Sequence, residues 1–196
     1  DIVYTKAAQS CDFAIADSTF MILLLKIFKK ISLNKLSGYE FLKNFFNDIK
    51  FNNKDLFLID PSQNDSNINR NYLLKIGIDI NRTYQYVAPI YKKNKISDQK
   101  LLDTLNSLNI KPKYIIINLG SGIQEPLGFY LKKNLNFKVG IICTGAAIAF
   151  FTGRQANISS FIDKLGLGWL IRIIYNPKLF IPRYLKAFSL LLLILN

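Results

Sequence analysis

The sequence contains no histidine. That removes the side chain most often used as a general base near neutral pH, and the commonest transition-metal ligand with it. Proton transfer therefore falls to Asp, Glu, Tyr, Lys or Cys. Acid is scarce as well: 13 Asp and Glu stand against 26 Lys and Arg, a formal net charge of +13. An imbalance of that size points to an anionic partner (nucleic acid, an anionic bilayer or phosphorylated substrates) and says little about fold. The two cysteines, Cys11 and Cys143, have neither metal-ligand spacing nor the density of a disulfide scaffold, so a reduced cytoplasmic setting is the default. The apolar runs at 21–25 and 190–195 are far shorter than the roughly 20 residues of a spanning helix. Residues 1–4 lack the basic and apolar regions of a secretion signal. The first residue is Asp1 rather than Met, so the chain is expected to be a piece of a longer protein.

Half of the 196 residues are hydrophobic, enough for one domain with a substantial core. Short apolar runs rich in β-branched residues alternate with helical patterns. Strands are expected at 13–16, 55–60, 83–87, 113–119 and 139–143. Helices are expected after Ser18 and Gly38, at 67–76, at 98–108 behind a Ser97 cap, and at 124–135. Gly77 is placed to end the third of these. After Gly153 the alternation stops, and two helices are expected at 158–174 and 178–195, parted by Asn176-Pro177. Unbroken apolar strands alternating with helices predict a mainly parallel, Rossmann-like α/β sheet with helices on both faces. Residues 1–153 are expected to form that domain, and 154–196 a basic, amphipathic helical appendage.

Ligands of such sheets bind beyond the carboxyl ends of the strands. Asp17, Asp60-Pro61, Gly120-Ser121-Gly122 and Thr144-Gly145 all fall there. A carboxylate at Asp17 is chemically able to act as a base on an acceptor hydroxyl, although position alone favours a cap or turn residue. Gly120 and Gly122 open a helix, where backbone amides and the helix dipole suit a phosphate. A plain strand-to-helix turn explains them equally well. Gln124 and Glu125 either hydrogen-bond a base or sugar, or cap the helix. Thr144 and Gly145 form a second small-residue turn, and the two turns together favour a nucleotide cleft.

The segment 154–186 carries Arg154, Lys164, Arg172, Lys178, Arg183 and Lys186 against the single acid Asp163, with Trp169, Phe180 and Tyr184 interleaved. This suits an anionic membrane interface, a diphosphate clamp at Arg172 or Arg183, or a packed helix pair. Tyr84, Tyr86 and Tyr91 near Lys92, Lys93 and Lys95 suggest base stacking. No recognition-helix or zinc pattern accompanies them, so a solvated basic loop is the preferred reading and no nucleic-acid partner is expected.

Several motifs, in order along nearly the whole chain, resemble the WecG/TagA/CpsF glycosyltransferases. Gly120-x-Gly122-x-Gln124-Glu125 resembles that family's Gly-x-Pro-x-Gln-Glu turn. Residues 143–153 resemble its Gly-Val-Gly-Gly-x-Phe-Asp-x-x-Ala-Gly block, and Leu165-Gly166-Leu167-Gly168-Trp169-Leu170-x-Arg172 its Leu-Gly-Leu-Glu-Trp-Leu-Tyr-Arg. Asn176-Pro177 and Arg183-Tyr184 are similar to its Glu-Pro and Arg-Tyr. Cys11-Asp12-Phe13-Ala14-Ile15-Ala16-Asp17 resembles Ala-Asp-Leu-Val-x-x-Asp-Gly, and residues 37–42 its Gly-x-Asp-Leu. Departures are Ser18 for glycine, Gly168 for glutamate, and Asn157-Ile158-Ser159 for Arg-Ala-Pro. The family's Thr-x-Asn segment would lie upstream of residue 1.

The resemblance implies transfer of an N-acetylmannosamine-type sugar from UDP to an undecaprenyl-diphosphate-linked amino sugar. It implies Asp17 as the base and Gln124 in the nucleotide-sugar pocket, with Arg172 and Arg183 near the donor diphosphate. Neither a metal nor a cofactor is expected. The implied partners are the UDP-sugar donor, the lipid-linked acceptor and an anionic membrane surface. A homo-oligomer is compatible with the sequence. A non-catalytic nucleotide-sugar or lipid-diphosphate binding module is the alternative, and a basic nucleic-acid binder a third reading.

Overall fold

A computed structural model describes residues 2–48, 50, 54–92, 96–154 and 168–187. Its helices are α1 (Ile2–Gln9), α2 (Thr19–Lys29), α3 (Gly38–Asp48), α4 (Gln63–Lys75), α5 (Gln99–Ser107), α6 (Gln124–Asn134), α7 (Ile148–Phe151), α8 (Gly168–Tyr175) and α9 (Pro177–Ala187). The strands are β1 (Leu56–Asp60), β2 (Gln85–Val87), β3 (Tyr114–Ile117) and β4 (Gly140–Ile142), all parallel in the order β2-β1-β3-β4. The fold is Rossmann-like α/β.

Two compact units divide the chain: residues 1–14 with 42–152, and residues 15–41 with 153–196. The sheet lies in the first. Every residue of β1 is buried, as are Ile115, Ile116 and Ile117 of β3, which is why these segments read as uninterrupted apolar runs. Side chains alternate between the two faces of a strand. On one face, the Tyr114 ring meets Phe45 of α3 edge-on, with centroids 5.0 Å apart. On the other, α6 comes so close at Gly128 that a Cβ there would lie 3.1 Å from Cys143 Sγ and 3.3 Å from Ile141 Cγ2. Helices thus cover both faces. Leu42 and Phe46 of α3, Leu73 of α4, Leu101 and Leu105 of α5, and Leu127 and Leu131 of α6 complete the core.

Local chemistry sets the helix ends. Ser62 accepts from the Asp65 amide and opens α4, while Gly77, at φ +85°, ends the turn that follows it. Ser18 caps α2 as expected, accepting from Met21 N at 3.2 Å. At α5 the cap is Asp98 rather than Ser97, accepting from Leu101 N at 2.9 Å. A carboxylate suits the positive end of a helix better than a hydroxyl does.

The expected strand at 13–16 does not form. Among the described residues no strand pairs with it, and Phe13 is 94% exposed. An apolar run becomes a strand only when its backbone groups find a ladder partner. Here the preceding residues are drawn to α6 instead, where Lys132 Nζ donates to Ser10 O and to both Asp12 carboxylate oxygens at 2.9 Å. Helix α1, for which the sequence reading made no provision, packs on α6 in the same unit. Of the expected C-terminal helices, 168–175 and 177–187 are observed. Residues 158–167 and 188–195, including Leu165-Gly166-Leu167 and the apolar end, lie outside the described residues, as do Lys93 and Lys95.

Candidate functional site

From β1 the chain crosses to β2 on one side of it, and from β3 to β4 on the opposite side. The carboxyl ends of β1 and β3 therefore flank the point where the connections diverge, the crevice in which open α/β sheets hold their ligands. Two polar side chains meet there. Asp60, the last residue of β1, is 0% exposed. Its Oδ1 accepts from Asn69 Nδ2 of α4 at 2.7 Å and from Asn118 Nδ2, just past β3, at 2.8 Å. Asp60 Oδ2 and Asn118 Oδ1 are buried without a hydrogen-bond partner.

Burial lifts the Asp60 carboxyl above its ordinary range. The bonds from Asn118 and Asn69 and the nearby Ser66 hydroxyl pull it partly back, and the charge of Asp65 adds to the rise. Beside edge strand β2, a groove of about 250 Å³ is lined by Gln63, Ser66, Asn67, Arg82, Gln85 and Val87. Gln85 Nε2 donates to Ser66 Oγ at 2.9 Å, so the groove's wall adjoins the same polar cluster.

The turn after β3 is organised by its own acid. Gly122 N donates to Glu125 Oε2 at 2.7 Å, and Ser121 Oγ and Gln124 Nε2 donate to Oε1 at 3.2 and 3.1 Å. The anion favoured at this helix N-terminus is thus supplied by the chain itself. Gly122 sits at φ +83°, which favours glycine, and a Cβ on Gly120 or Gly122 would meet nothing within 4 Å.

Gln124 is buried, and its Oε1 accepts from Gly145 N at 2.6 Å. That bond ties the turn after β3 to the turn after β4. Gly145 has φ +62° and lies close against the same glutamine. Neighbouring Thr144 keeps a buried hydroxyl without a hydrogen-bond partner. Cys143, which donates to Gln124 O at 3.5 Å, has its thiol pushed up to about 12, chiefly by burial and then by the Glu125 charge. It is no nucleophile at neutral pH.

The structure accordingly brings Gly120, Gly122, Gln124, Glu125, Thr144 and Gly145 together at one end of the sheet. Asp17 belongs to the other compact unit, exposed, one residue before the cap of α2. Arg172 and Arg183 lie on α8 and α9 of that unit, and their side chains are outside the described residues.

The model of the glycosyl transferase WecG/TagA/CpsF family matches residues 1–196. The chain belongs to this family. No curated protein matches it.

As a WecG/TagA/CpsF glycosyltransferase, the chain is expected to bind a nucleotide-sugar donor and a lipid-linked acceptor, and its bridged turns lie where α/β sheets hold nucleotides. Sequence reasoning missed the Asp60–Asn69–Asn118 cluster. The sequence places Asp60 itself at a ligand-binding strand end, but its two partners are 9 and 58 residues away and no local pattern points to them. The tyrosines whose spacing suggests base stacking have structural partners. Tyr84 is buried and donates to Ile110 O at 2.7 Å, while the Tyr86 and Tyr91 hydroxyls both donate to Asp98. Burial and that carboxylate push Tyr86 up to about 12 and Tyr91 higher still. Among the described residues no helix is long and apolar enough to cross a membrane.

Proposed function

We propose that this glycosyltransferase moves an N-acetylmannosamine-type sugar from UDP to an undecaprenyl-diphosphate-linked amino sugar, in the synthesis of a cell-surface polysaccharide. The observation that carries the reading is the Gln124 Oε1–Gly145 N bond of 2.6 Å. It joins the two turns that resemble the family's sugar-nucleotide motifs, 21 residues apart, at the carboxyl ends of β3 and β4. Residues 1–153 hold the donor. Open space over Gly120 and Gly122 admits its close approach, and the unpartnered Thr144 hydroxyl supplies a hydrogen-bonding group nearby.

Glu125 orders the turn from within and already takes the Gly122 amide, so the diphosphate charge is left to Arg172 and Arg183. Positive side chains must offset it as UDP departs. The Asp17 carboxylate takes the proton of the acceptor hydroxyl. The hydroxyl oxygen then bonds to the anomeric carbon as the bond from that carbon to UDP breaks. The basic appendage 154–196 keeps the enzyme peripheral, on the cytoplasmic face of an anionic membrane.

Calorimetric titration of UDP, with ADP as control, tests the donor site. UDP-selective, saturable binding is expected, weakened on the order of tenfold or more in Gln124→Ala and in Arg172→Ala, the scale of one lost charge-assisted or buried hydrogen bond. Equal binding of UDP and ADP, or full affinity in both folded variants, would overturn the assignment.

A further inference from the structure

Helix α2 is exposed where an 11-residue apolar helix would ordinarily be covered. In the sequence Thr-Phe-Met-Ile-Leu-Leu-Leu-Lys-Ile-Phe-Lys, only Leu24 is buried. Leu23, Ile27 and Phe28 are 51%, 59% and 45% exposed. Positions i, i+3 and i+4 share one face of a helix, and here they are Leu23, Lys26 and Ile27, with Lys30 following as the C-cap. Lysine and apolar residues are thus interleaved on the solvent side instead of being separated onto opposite sides. Past the left-handed Lys30, at φ 57°, the apolar surface continues through Ile31 and Leu33, 46% and 40% exposed. No acidic residue occurs between Asp17 and Glu40.

We propose that this face of α2, with residues 31–33, is a docking surface for an anionic lipid bilayer. Apolar side chains enter the acyl boundary while lysine stems lie along them and carry their ammonium groups out to lipid phosphates. Charge selects this occupant. A second copy would bring lysines against lysines, and a nucleic acid would leave Leu23, Ile27 and Ile31 in water with nothing to cover them. Exposed Leu170, Ile174, Ile181 and Leu185 of α8 and α9 belong to the same compact unit. The α2 face and the C-terminal appendage are thus separate in sequence and share one compact unit. The inference rests on the transferase reading only in that a lipid-linked acceptor gives the chain a reason to meet a membrane.

The test uses the full chain with vesicles of phosphatidylcholine containing about a third phosphatidylglycerol, against pure phosphatidylcholine, by flotation. The chain is expected to bind the anionic vesicles preferentially, less so as salt rises. Leu23→Ser with Ile27→Ser should weaken binding on the order of tenfold or more, from the apolar area withdrawn. Lys26→Gln with Lys30→Gln should flatten the salt dependence. Hydrogen exchange on the unmutated chain guards against misfolding of the variants: amides of residues 19–33 should exchange more slowly when anionic vesicles are present. Unchanged exchange there while the chain floats with vesicles, or no preference for anionic vesicles, would overturn the proposal. UDP affinity of the serine variant should equal that of the parent chain, so failure of the lipid surface and failure of the donor site are read separately.

Discussion

Asp60→Leu is expected to destabilise the folded chain by roughly 2–6 kcal/mol, because two buried amide donors lose their acceptor at about 1–3 kcal/mol each. The donors are Asn69 Nδ2 and Asn118 Nδ2, both within 2.8 Å of Asp60 Oδ1. Asp60→Asn should behave differently. It keeps an oxygen for both donors and places an amide where Oδ2 now has no hydrogen-bond partner, so its stability at pH 7 should equal or exceed that of the parent.

The pH dependence separates charge from shape. The Asp60 pKa is raised on folding, so the folded chain holds the proton more tightly than the unfolded chain. Stability tied to this group is complete below the unfolded value near 3.8. It falls as pH rises toward the folded value and is level above it. Urea unfolding across that interval should show this decline in the parent relative to Asp60→Asn. A leucine variant within about 0.5 kcal/mol of the parent, the ordinary range of a harmless change, would remove Asp60 from the centre of the fold's polar architecture.

Asp17→Asn is expected to cut sugar transfer by about 10²–10⁴-fold, the range that one general base contributes, with UDP affinity unchanged. The amide cannot take the acceptor's proton, whereas donor binding is assigned to the turns at Gln124 and Gly145. The assay is transfer from a UDP-linked N-acetylmannosamine-type sugar onto a polyprenyl-diphosphate-linked amino sugar, with calorimetry on the same sample. Full transfer in the variant would assign the base to another carboxylate. Loss of UDP binding together with transfer would make Asp17 part of the donor pocket.

The sheet was legible where burial is complete. Residues 56–59 and 115–117 are apolar because helices cover both of their faces, and a run of that kind leaves little else to be. Caps were legible to within a residue, since Ser97 and Asp98 offer the same local chemistry and only the fold chooses between them. Residues 13–16 misled because apolarity says nothing about whether an edge is available to pair with. The two small-residue turns could be placed at one end of the sheet from the strand ends alone. The polar cluster at Asp60 could not, because its geometry depends on Asn118 arriving from the neighbouring strand, and no local pattern encodes that meeting. Of the two readings open to Glu125, the capping one has a visible partner: its carboxylate accepts from Gly122 N.

Of the two thiols, Cys11 is exposed and Cys143 is held protonated beneath α6 with its pKa near 12. A maleimide reacts with the thiolate, so at neutral pH dye should enter at Cys11 alone, without any cysteine having been removed. The unmutated chain thus arrives as a single-label reporter, its fluorophore one residue from the Asp12 carboxylate that Lys132 clasps.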